Sequence, residues 1–163
     1  MKPDRQKQVT GSRANVILYT IAAIISLAGL ADATYLTILA LTGETAACGG
    51  STGCFEVLGS IYARIAGIPV AAFGVLGYFA AFALAIFIAS GYSRLRRFFT
   101  LTVGVMFAMT LWLLYVQAFQ LHAYCRYCLF SAALTFLLAG LVVASPWPIS
   151  VRELSMSVKS ALV

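Results

Sequence analysis

The chain has 163 residues, 62% of them hydrophobic and 10% charged, with a formal net charge of +6. Soluble domains carry about 45–50% apolar and about 25% charged residues, so this composition excludes an ordinary soluble enzyme and reads as a membrane protein. The positive charge does not point to nucleic acid. Basic residues sit in short clusters between apolar runs, and no basic face interleaves with stacking aromatics, so no nucleic-acid partner is expected.

A helix needs roughly 20 residues to cross about 30 Å of hydrocarbon. The first stretch of that length runs over 14–41, with Asp32 as its only charge. A removed signal peptide would have an apolar region of about 7–15 residues, and this one is much longer. An ionisable side chain inside a span is costly and therefore a functional candidate, here for a proton or polar role. The bland reading of Asp32 is an interhelical hydrogen bond.

The loop at 42–66 follows. "CFEVLGSIYARIAG" places Phe55, Leu58, Ile61, Tyr62 and Ile65 at helical spacing, which predicts a short amphipathic lid across one mouth of a bundle. "GGSTG" at 49–53 is a flexible link between Cys48 and Cys54.

Three more spans are predicted over 67–90, 98–121 and 124–144, the last ending before the helix-breaking "SPWP". The fold expected is a four-helix membrane bundle, all-α, with 1–163 as one integral membrane domain and no soluble module attached. Lys2, Arg5, Lys7 and Arg13 precede the first span, Arg94, Arg96 and Arg97 join the second to the third, and Arg152 and Lys159 follow the fourth. By the positive-inside rule the two termini and the 91–97 turn are cytoplasmic. The 42–66 loop and the 122–126 turn then lie on the outer side.

All four cysteines fall at that outer end, as Cys48-x5-Cys54 and Cys125-x2-Cys128. Buried cysteines scattered over apolar helices are inert, but these are gathered at one end. Residues i and i+3 at the start of a helix share a face, so the sulfurs of Cys125 and Cys128 can bond. The positive helix N-terminus favours a thiolate there, and Cys128 is the expected leaving group. The pattern reads as a redox site beside the lipid. Stabilising disulfides on an oxidising side are one alternative. A four-thiolate zinc site is another, set against it by the Gly-rich link, so no metal is expected. His122, the single histidine, reads as an interfacial anchor. A transporter-type bundle using Asp32, Gln117 and Gln120 as its polar groups is the reading from a different class.

"ADATYLTILALTG" (31–43), "CGGSTGCFEVLGSIYARIAGIPVAAFGVLGY" (48–78) and "LLYVQAFQLHAYCRYCLFSAALT" (113–135) together resemble the bacterial homologues of vitamin K epoxide reductase. The resemblance covers roughly 14–145. It rests on a cysteine pair after the first span, a serine six residues beyond the second loop cysteine, and a Cys-x-x-Cys opening the fourth span. The other four-helix thiol:quinone oxidoreductases carry these elements in the opposite order. Many bacterial members are fused to a thioredoxin-like domain; none follows here, so the thiol partner is expected to be a separate DsbA-like thioredoxin-fold protein.

The resemblance implies an enzyme of the bacterial inner (plasma) membrane. It would oxidise a secreted thioredoxin-fold partner and pass two electrons to a quinone of the menaquinone, ubiquinone or vitamin K type, supporting disulfide formation. It also implies roles for matching residues. Cys48 takes the partner's attack, Cys54 passes the electrons to Cys125, and Cys128 reduces the quinone. Ser60 hydrogen-bonds a quinone carbonyl, unless it is a capping or backbone-bonded serine.

Overall fold

The computed structural model describes residues 4–43, 52–65 and 67–144. Helix α1 spans Asp4–Thr42, α3 spans Val70–Ala89, α4 spans Arg96–Tyr115, and α5 spans Arg126–Ala144. Each carries an apolar stretch long enough to cross a bilayer, and that of α4 continues through six further residues to Leu121. The four-span reading therefore holds. The second and fourth spans start three and two residues later than the hydropathy suggests.

Large apolar side chains point outward all round, among them Ile24, Leu76, Leu101 and Val105. This is the inside-out pattern that lipid permits, since tails solvate such groups as well as a protein core does. What packs inside is small. Ala22, Ala23 and Ala33 of α1 meet Ala81 and Ala85 of α3, all buried. Between them the Tyr78 ring lies so close to Gly29 that a β-carbon there would overlap it. Small residues at a helix crossing let two backbones approach where no hydrophobic force drives them together.

The α3–α4 turn lies at one end, where the Arg96 guanidinium sits 5.6 Å from the centre of the Tyr19 ring. Tyr19 in turn meets Phe99 edge-on at 5.5 Å. The 52–69 segment and the 122–125 turn meet at the other end, so the arginine turn and the cysteine segments occupy opposite poles of the bundle.

The lid departs from the predicted single helix. Helix α2 covers Thr52–Gly59 only. Ser60 then turns to extended backbone, a 3-10 turn covers Ile61–Ala63, and strands β1 (Arg64–Ile65) and β2 (Ile68–Pro69) form a two-residue hairpin. Glycine at 59 and the positive φ of Gly67 (83°) break the helical run. Val57 is buried and Leu58 partly so, but Ile61, Tyr62 and Ile65 are exposed, so the apolar stripe ends at the break. Arg64 ties the hairpin back to α1 by donating to the Ala40 carbonyl at 3.3 Å.

Candidate functional site

The end of α4 prepares the start of α5. Val116–Leu121 wind as a wide π-turn, and His122 reverses the chain with φ of 51°, a left-handed conformation rare outside glycine. Wide turns of this kind recur at functional sites. Here the turn buries Gln117, whose side-chain oxygen accepts the backbone N–H of Cys125 at 3.4 Å.

Cys125 sits immediately before α5 and behaves as its cap. Its carbonyl accepts the Leu129 N–H at 3.0 Å, and its sulfur accepts the Cys128 N–H at 3.4 Å. The first-turn amides are thus aimed at Cys125, whereas the sequence suggested Cys128 as the thiolate. The Cys125 thiol is lowered to about 7, chiefly by a hydrogen bond from the Cys128 side chain and further by the N–H groups of Cys128 and Tyr127, against the opposing effect of burial. Both cysteines are free thiols.

Cys54 is disulfide-bonded. It is fully buried, as is Cys125, and the two belong to one apolar cluster with Leu36, Leu39, Val57 and Ala123. The backbones there are in contact: a β-carbon at Gly53 would fall 2.8 Å from the Tyr124 carbonyl oxygen. Cys48 lies outside the described residues, as does the "GGSTG" link up to Ser51.

On the other side of α5's first turn is a cavity of about 550 Å³, walled by all four spans and by α2. Pockets of this size take drug-sized organic molecules. Its lining is mostly apolar, with Phe73, Met106 and Met109 among the contributors, and Cys128 opens into it. Cys125 does not line it. The Cys-x-x-Cys therefore bridges the Cys54 cluster and the cavity: Cys125 is buried within the cluster, and Cys128 packs at the cluster's edge and lines the cavity.

Along that wall Gln117 is a sequence candidate, whereas Tyr78, Ser131 and Thr135 are not. The Tyr78 hydroxyl lies 2.8 Å from the Ser131 carbonyl oxygen, to which it donates, 3.1 Å from Ser131 Oγ and 2.9 Å from Thr135 Oγ1. Thr135 also donates to the Ser131 carbonyl at 3.1 Å. The Ser131 side chain reaches Asp32, whose Oδ2 is buried with no partner. Asp32 thus joins the interhelical hydrogen bonding that the bland reading described, with one oxygen to spare. A signal was available: Cys128, Ser131 and Thr135 follow one another at i, i+3 and i+7 on one face of α5.

Ser60 is less central. Its hydroxyl donates to the Val57 carbonyl at 2.9 Å, as the backbone-bonded alternative describes. Its neighbours Val57, Leu58 and Ala63 line the cavity, and Ser60 itself does not. His122 is exposed at the turn. Among the described residues no three His, Cys, Asp or Glu side chains converge as a metal site would require.

Compared with known families, residues 20–143 match the model of the vitamin K epoxide reductase family.

Proposed function

The chain belongs to the vitamin K epoxide reductase family, quinone-linked membrane oxidoreductases, and on that premise we propose that it oxidises a thioredoxin-fold protein and passes the electrons to a quinone. The observation that carries this reading is the division of labour within one helical turn. Cys125 is sealed beside Cys54, and Cys128 opens into an apolar cavity. Electrons enter on one side of the turn and leave on the other.

In this reading Cys54 is bonded to Cys48. The partner's thiolate attacks Cys48 and releases Cys54 as a thiolate; the partner's second thiol then closes the partner's own disulfide and frees Cys48. Cys54 attacks Cys125 of an oxidised Cys125–Cys128 pair, and the Cys128 sulfur leaves and takes up the proton that Cys54 gave up. Cys48 resolves the Cys54–Cys125 bond, which restores the loop disulfide and leaves Cys125 and Cys128 reduced. Two electrons have then moved from the partner to the pair in the cavity wall. A quinone bound there supplies the two-electron, two-proton sink as the pair closes again.

The residues present fit such a molecule. The wall is apolar, a sulfur faces the space, and hydrogen-bonding groups stand at its edge. Asp32, linked through Ser131 to the Tyr78 hydroxyl, is the candidate for holding a proton near the cavity. Ser60, at the rim, reaches a ligand oxygen if its hydroxyl rotates away from Val57. A donor couple near −120 mV needs a more positive acceptor, since about 30 mV corresponds to 1.4 kcal/mol for two electrons. The cysteine pole is assigned to the outer face of a bacterial inner membrane, and both termini to the cytoplasm, on the positions of Arg13, Arg94, Arg96 and Arg97.

The test is quinone reduction by the purified protein with a reduced thioredoxin-fold donor, followed by the loss of quinone absorbance. Stoichiometric hydroquinone and partner disulfide are expected. Partner oxidation that proceeds at the same rate without quinone would overturn the reading.

A further inference from the structure

The cavity wall carries several polar groups, and hydrogen-bond bookkeeping separates them. The hydroxyls of Tyr78, Ser131 and Thr135 are engaged with one another, with the Ser131 carbonyl and with Asp32. Gln117 differs. It is buried and lines the same cavity, and its oxygen meets the Cys125 N–H. A backbone N–H can only donate, so the atom it meets is the amide oxygen, and the amide nitrogen faces the other way. That nitrogen is the end of the side chain left for the cavity that Gln117 lines. Two N–H donors are therefore available at the cysteine end of an apolar space. The other wall hydroxyls of α4, Thr110 and Thr102, lie about two and four turns further from the cysteines.

N–H donors in an apolar wall are costly to leave without an acceptor. A ligand that brings an acceptor oxygen removes that cost. We propose that Gln117 is a positioning and acceptor-binding residue: its oxygen fixes the Cys125 backbone at the entrance to α5, and its amide nitrogen donates to a carbonyl oxygen of the molecule in the cavity. The second half rests on the reading of the cavity as a quinone site. The first half stands on the 3.4 Å contact alone.

One side chain then couples the two sides of the redox turn. Losing the oxygen contact frees the Cys125 backbone, and with it the sulfur that accepts the Cys128 N–H. Losing the nitrogen contact removes a donor from the place where negative charge develops on an oxygen during reduction.

The test uses the full chain in detergent with two substitutions, Gln117→Leu and Gln117→Glu. Leucine fills the space without donor or acceptor, whereas a protonated glutamic acid offers both an acceptor oxygen and an O–H. The first measurement needs no quinone: the dithiol–disulfide equilibrium of Cys125 and Cys128 in a redox buffer, read by thiol alkylation and mass spectrometry. The second is the affinity for menadione, read by quenching of tryptophan fluorescence, with KM and kcat for menadione reduction by dithiothreitol beside it. Gln117→Leu is expected to shift the equilibrium about tenfold, or about 30 mV for this couple, and to weaken menadione binding about tenfold with KM rising in step. Gln117→Glu should recover most of both. An unchanged equilibrium in the leucine protein overturns the positioning role, and unchanged menadione affinity overturns the donor role. A glutamate protein no better than leucine in either measurement overturns both, since packing and not hydrogen bonding would then be at work. A wild-type protein that binds no quinone defeats the functional reading and the donor role with it, while the redox equilibrium still decides the positioning role.

Discussion

The backbone N–H of Cys128 points at the sulfur of Cys125, 3.4 Å away. This contact adds to the hydrogen bond from the Cys128 side chain in making the first cysteine of the pair the better thiolate. Its pKa is lowered to about 7, with the Cys128 side chain as the largest cause. Thiolate is therefore present above about pH 7 and is lost as pH falls below it. Alkylation of the reduced pair, followed by mass spectrometry, is expected to modify Cys125 with a midpoint near that value. In Cys128→Ala protein the midpoint should move up toward the ordinary thiol range, because the principal hydrogen bond is gone. A midpoint that stays near 7 in the variant would place the cause elsewhere.

The cavity-side pair and the loop pair are expected to fail differently. Cys125→Ala and Cys128→Ala should each abolish quinone reduction with any donor, since the pair in the wall alone hands electrons on. Cys48→Ala and Cys54→Ala should lose activity with a protein donor yet keep some with a small permeable dithiol that bypasses the loop. Equal loss with both donors in all four variants would contradict a relay.

The four spans were legible because a run of apolar residues needs no partner to declare itself. So was the meeting of Cys54 with Cys125 and Cys128, since topology alone puts the first loop and the 122–126 turn at one pole. What stayed hidden depends on contacts between distant segments. Nothing local marks Gln117 as the group that meets Cys125, because that contact needs the π-turn and the reversal at His122. Tyr78 reads as one more aromatic residue in α3 until Ser131 and Thr135 of α5 come beside it. The lid was over-extended for a different reason. Helical spacing from Phe55 to Ile65 continues across Gly59, but periodicity does not register that the backbone turns extended at Ser60.

Tyr78 is expected to hold α3 to α5 independently of its place in the cavity wall. Tyr78→Phe removes hydrogen bonds to Ser131 and Thr135 and leaves those groups less well satisfied, at a cost of about 1–3 kcal/mol. Gly29→Ala forces a methyl group into the Tyr78 ring and should cost a similar amount, about 1–3 kcal/mol, by overpacking. Thermal unfolding in detergent reads both. Because ring and glycine touch, the double variant should not be additive, and strict additivity would mean that Gly29 tolerates alanine by some other movement.

The order of the relay has the sharpest test. If Cys54 is the loop cysteine that attacks Cys125, removing Cys48 leaves the mixed disulfide with no loop thiol to resolve it. A Cys54–Cys125 bond should then accumulate in Cys48→Ala protein. The two residues are fully buried in one cluster, and the residues preceding them, Gly53 and Tyr124, touch through their backbones. A disulfide requires Cα atoms within about 7 Å, a spacing that backbone contact one residue away favours. The same contact supplies a second variant. A β-carbon at Gly53 would lie 2.8 Å from the Tyr124 carbonyl oxygen, so Gly53→Ala must push α2 away from the start of α5. Mass spectrometry of digested, unreduced Cys48→Ala protein is expected to join the peptide containing Cys54 to the one containing Cys125. Adding Gly53→Ala should cut the yield of that species several-fold while quinone reduction by a small dithiol continues. Finding Cys54 free, with Cys48 bonded to Cys125 in Cys54→Ala protein, would reverse the two loop roles.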